Sequence, residues 1–74
     1  MSEGNSRTTL FLDNDGANYI NIAAANDAAS AVFFSDSDAN NVGGLNYNHD
    51  GNVMSFTVNG SERARFLASG SLAV

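Results

Sequence analysis

VMSFTVNGSERARFLASGSLAV, Val53 to Val74, decides the fold of this chain. Met54, Phe56 and Val58 fall on one side of an extended backbone and Ser55 and Thr57 on the other, the period of two that a half-buried strand requires. Asn59-Gly60 follows, a dipeptide that readily supplies the positive φ angles of a tight hairpin. Beyond it Glu62, Ala64 and Phe66 alternate with Arg63, Arg65 and Leu67, and a second glycine turn at Ser69-Gly70 precedes a last apolar segment. The passage predicts an antiparallel meander with Met54, Phe56, Val58 and Phe66 turned inward.

Upstream, Gly43-Gly44 opens LNYN, and Asn48-His49-Asp50-Gly51 turns the chain into VMSFTV. AVFFS, Ala31 to Ser35, is strand-like, and Asp36 to Val42 is a polar loop. Nearer the N-terminus, TTLFL (Thr8 to Leu12) reads as a strand and Asp13-Asn14-Asp15-Gly16 as a turn. NYINIA then returns as a second strand with Ile20, Ile22 and Ala24 on one face. Over Ala23 to Ala31 a helical turn competes by alanine propensity, but Asn26-Asp27 interrupts the run. Three regions follow: a flexible lead over residues 1–7, an N-terminal β-hairpin region over 8–31 serving attachment or assembly, and a β-meander over 32–74. At an offset of 35 residues, Leu10, Leu12, Asp15 and Gly16 match Leu45, Tyr47, Asp50 and Gly51, a weak repeat that predicts stacked hairpins.

Seventy-four residues allow one domain, and so short a chain buries a small share of its surface. Of the 43% hydrophobic residues, eleven are alanines, which contribute little area. Such domains add disulfides, a metal or further subunits. Cysteine is absent and there is one histidine, so neither a disulfide nor a zinc site within one chain is expected. Oligomerisation remains. A net charge of −5, with three arginines and no lysine, argues against nucleic acid and against an anionic membrane surface. No apolar run reaches the length of a membrane span, and MSEGNS lacks the pattern of a signal peptide, so a soluble product is expected.

The chemistry-bearing residues form no catalytic constellation. Asp36-Ser37-Asp38-Ala39-Asn40 opens like a calcium loop, but Asn41 and Tyr47 stand where that loop needs glycine and glutamate. Asp13-Asn14-Asp15-Gly16 fails likewise, and Asx turns explain both clusters. His49 is expected as a polar side chain hydrogen-bonded beside a turn; the sharper alternative is a transition metal held by copies of His49 on a threefold axis. No serine lies in a nucleophile elbow, and no enzyme or cofactor is expected. Asn59-Gly60-Ser61 matches a glycosylation sequon, for which the hairpin is sufficient explanation.

From Val32 onward the wording resembles segments of bacteriophage tail fibres and tailspikes placed ahead of an intramolecular chaperone domain. The resemblance is carried by Phe34, Asp36, Gly44, Tyr47, His49, Met54, Phe56, Asn59, Gly60, Glu62, Arg63 and Arg65. Tyr-x-His combined with Asn-Gly-x-Glu-Arg is its most specific part. It implies a virion protein: a parallel homotrimer of intertwined β-strands, a β-prism or β-helix-like fibre, with Met54, Phe56, Val58 and Phe66 in a shared core. Glu62, on the apolar side by strict alternation, would then pair with Arg63 or Arg65 of the next chain. The implied partners are further copies as trimer or higher polymer, other virion proteins and a host-surface glycan; synthesis would be in the host cytoplasm. Family segments continue into longer chains, whereas this one runs from Met1 to Val74. A trimeric capsid decoration protein is the nearest alternative, and a monomeric carbohydrate-binding β-sandwich is the alternative of another class.

Overall fold

The computed structural model describes residues 7–74, so the polar lead expected over 1–7 lies, apart from Arg7, outside the described residues. The fold is all-β. Five strands, β1 (Ala29–Phe34), β2 (Gly43–Asn48), β3 (Val53–Val58), β4 (Ser61–Phe66) and β5 (Leu72–Ala73), form one open antiparallel sheet in the order of the sequence. Each strand pairs with the next, the meander expected of alternating segments separated by turns.

The turns explain the register. Asn59 and Gly60 adopt φ of 53° and 76°, both left-handed, closing a two-residue hairpin that sets Val58 opposite Ser61. The Gly60 amide also donates to the Val42 carbonyl at 2.8 Å, fastening this turn to the entry of β2. Between β2 and β3 the chain reverses over residues 49–52, with Gly51 and Asn52 at φ of 104° and 56° and the Asn48 side chain accepting the Asp50 amide. In the 36–42 loop, Asp36 Oδ1 accepts the amides of Asp38 and Ala39, both at 2.9 Å. This carboxylate caps its own turn, as the Asx reading required.

Expectations for the N-terminal region are corrected. Residues 8–28 form no strand, so the hairpin expected over 8–31 is absent; only Ala29, Ser30 and Ala31 of that region join the sheet. Its expected turn at Asp15 and Gly16 is a bend in which Gly16 does not take a positive φ, and Asn14 donates instead to the Ala17 carbonyl at 2.7 Å. The apolar alternation of Ile20 and Ile22 thus exists in the sequence without a strand beside it to complete a ladder, and the repeat at an offset of 35 has no structural counterpart. Ala23 to Ala31 is not helical either: the Ala28 amide closes a turn on the Ala25 carbonyl before β1 begins.

Among the described residues no second layer packs on this single sheet, which the N-terminal segment meets only at one end, through Ile22. Among the described residues no hydrophobic side chain is buried, and Ser55, 8% exposed, is the one buried polar residue. The radius of gyration is 15.2 Å, against about 11 Å for a compact domain of this length.

Candidate functional site

The candidate site is the apolar face of the sheet. Ladder partners share a face, so the register assembles it directly. One row runs Tyr47, Met54, Phe66, Leu72; the next runs Val32, Leu45, Phe56, Ala64. Phe34 pairs with Gly43 at the end of β1, and Val58 lies one step along β3 beyond Phe56. The Phe56 and Phe66 rings meet edge to face with centroids 6.3 Å apart. Met54, Phe56, Val58 and Phe66, expected together from alternation, are together here. Val32, Phe34, Leu45 and Leu72 complete the face, and the alternation of AVFF and GLNY was the signal for three of them.

Most of these side chains meet water: Phe34 is 60% exposed and Val58 59%. Two hollows interrupt the face. At the turn end, Ile22 lies with Val32, Leu45, Tyr47 and Met54 around one of them, so the N-terminal segment crosses the face there. At the other end, Phe34, Val42, Gly43, Leu45, Phe56 and Val58 line a second, open hollow. Its cause is Gly43, which places no side chain in the row between Phe34 and Val58.

The opposite face is mostly polar, although Phe33, 54% exposed, stands on it beside Gly44, and Val53 lies opposite Asn48. Asn46, Ser55 and Arg65 are successive ladder partners across β2, β3 and β4, and Thr57 stands opposite Glu62. The pairing shifts by one residue between Phe56 and Thr57, which leaves Arg63 as the extra residue of a β-bulge. Without the shift, residues 62 and 65 would point to opposite faces. With it, Arg65 Nε–H donates to Glu62 Oε2 at 2.7 Å and Nη2 to Oε1 at 3.0 Å, a bidentate pair within one strand. The face expected for Glu62 is therefore corrected: the bulge removes Glu62 from the apolar side, and within this chain its carboxylate pairs with Arg65. The hydrogen bond from Arg65 holds the Glu62 carboxyl below its ordinary pKa, outweighing the desolvation that pushes the other way. Arg63 is turned away from this pair, its Nε–H donating to the Val58 carbonyl at 3.0 Å.

His49 follows Tyr47 on the apolar side at the end of β2. Its Nε2 lies 3.0 Å from Ser30 Oγ in a hydrogen bond, and its ring meets Tyr47 edge-on at 5.0 Å. Tyr47 in turn donates through its hydroxyl to Asn52 Oδ1 at 3.2 Å. These bonds lock the β2–β3 reversal against β1. Among the described residues no three His, Cys, Asp or Glu side chains come together as a metal-binding group, and no helix is long and apolar enough to cross a membrane. No family model, curated protein or solved structure matches this chain.

Proposed function

We propose that this chain is a non-enzymatic bacteriophage virion protein, a subunit of a trimeric tail fibre or spike, whose function is mechanical and adhesive. The observation that carries the reading is the uncovered apolar face: Val32, Phe34, Leu45, Met54, Phe56 and Phe66 share one side of a sheet in which no hydrophobic side chain is buried. An isolated single-layer sheet gains too little burial to offset the entropy of ordering its chain. Three copies with their apolar faces toward a common axis form a triangular prism with one interior. The six-residue strands set the side of the prism at about 20 Å, and five strands at about 4.8 Å spacing give each copy roughly 19 Å of fibre length. The polar face, with Asn46, Asn48, Ser55, Thr57 and the Glu62–Arg65 pair, then turns outward to solvent, to other virion proteins or to a surface glycan. The resemblance of Val32 to Val74 to tail-fibre segments supports the threefold arrangement and the virion location.

The test is absolute mass by light scattering across a dilution series. A stable mass of three chains, or of a polymer of them, supports the reading, and a folded species of about 7.7 kDa removes it. Gold-labelled antibody on intact particles then reports location: label on the tail supports the fibre assignment, and label on the shell replaces it with a decoration protein.

A further inference from the structure

Two unsatisfied apolar features are complementary in kind. One is the open hollow at the Phe34 end of the face, a gap that Gly43 leaves between Phe34 and Val58. The other is Leu10-Phe11-Leu12, three consecutive large apolar residues outside the sheet, of which Leu10 is 75% exposed and Phe11 and Leu12 are 47% and 49% exposed. None of the three lines the hollow of its own chain. Downstream of them, Ile22 rests on the opposite end of the same face. The segment therefore leaves β1 across the apolar side, into the space between this sheet and whatever covers it.

Resting on the self-assembly reading above, we infer that Leu10-Phe11-Leu12 of one copy inserts into the Phe34–Val58 hollow of a neighbouring copy, with the Phe11 ring filling the gap over Gly43. Burial of aromatic and aliphatic side chains against Phe34, Val42, Leu45, Phe56 and Val58 supplies the driving force, and no charged side chain lines the hollow to oppose it. Surface area favours a second copy as the occupant. The chain exposes 6016 Å², about 1,700 Å² more than a compact monomer of its mass. A standard interface covers about 800 Å² of each partner, so contact with two neighbours accounts for the surplus. Each chain then donates one segment and receives one, a head-to-tail exchange that a ring of three completes.

The chain has no cysteine and no tryptophan, which makes the test clean. A Phe11→Cys chain and a differently tagged Val58→Cys chain are unfolded together, refolded and oxidised. The expected product is a disulfide-linked pair containing one chain of each kind. If no mixed pair forms in protein that still has an oligomer's mass, the insertion is wrong and self-assembly stands. The insertion is equally wrong if a chain carrying both substitutions closes its disulfide internally. A single-chain mass throughout removes self-assembly, and the insertion with it. Phe11→Trp gives a second readout should the cysteine chains fail to refold. Its emission is expected at short wavelength in the assembled protein and should move to that of solvated tryptophan on dilution; solvated emission in the assembled protein overturns the proposal.

Discussion

Gly43 and Gly44 are adjacent in sequence and opposite in their tolerance of a side chain. A Cβ at Gly44 would stand 2.6 Å from the Val32 carbonyl oxygen and 3.1 Å from the Phe33 ring, so β1 and β2 would have to separate. At Gly43 the nearest atom would be 3.6 Å away, an ordinary contact. Gly44→Ala is therefore expected to cost about 1–3 kcal/mol, the range of overpacking, and Gly43→Ala to cost less, since its Cβ overpacks nothing within its own chain. Urea unfolding of the two variants checks the difference. Glu62 gives a second prediction. Because its folded pKa is lowered, the pair contributes stability above the ordinary carboxylate pKa, and that contribution is lost as pH falls through the lower folded value. Carbon NMR titration should find the Glu62 carboxyl ionising below the usual range, and Arg65→Gln should return it to that range. If Glu62 titrates identically in both proteins, the bidentate bond does not persist in solution. The effect on overall stability is expected to be small, since both side chains are about two-fifths exposed and salt screens them.

The strands β2, β3 and β4 were legible because their residues alternate and their turns carry asparagine and glycine where positive φ is needed. Asn59-Gly60 marks a reversal whose geometry follows from those residue types, and Asp50-Gly51 marks the other, although there the positive φ angles fall on Gly51 and Asn52. The bulge was not legible. Nothing in SERARF says which residue slips, and strict alternation assigned Glu62 to the wrong face; the side to which a charge points depends on a register that only pairing fixes. The N-terminal segment shows the converse. TTLFL and NYINIA have the composition of strands, yet a strand exists only against a partner, and this chain supplies none beside them. The bulge itself carries a prediction. Deleting Arg63 leaves Thr57 opposite Glu62 and Phe56 opposite Ala64, with an uninterrupted ladder between them. The deletion is expected to keep the fold and the Glu62–Arg65 pair and to cost about 1 kcal/mol, the hydrogen bond to the Val58 carbonyl. Loss of cooperative unfolding would show that the bulge's added twist is required by the sheet.

Taken as a whole, the molecule gathers most of the large apolar side chains of its sheet on one face, Phe33 and Val53 excepted, and leaves that face without a second layer. Side chains that a larger domain would enclose are arranged here in rows, so the stability of the sheet depends on what covers them. If copies of the chain supply that cover, folding and association are one equilibrium, and the thermal midpoint depends on protein concentration. The unfolding midpoint is expected to rise steadily with concentration from the low micromolar range upward, and the net charge of −5 per chain makes this association easier as salt screens the repulsion. Phe56→Asp places a carboxylate in the middle of the face, beside Leu45 and Ala64, where association would strip its water without offering a cation. That variant should lose the concentration dependence together with the cooperative transition, whereas Thr57→Asp, one residue along on the polar face, should keep both. A midpoint that is independent of concentration in the unsubstituted protein would mean that the isolated sheet is stable by itself, and the apolar face would then be a surface for some other molecule.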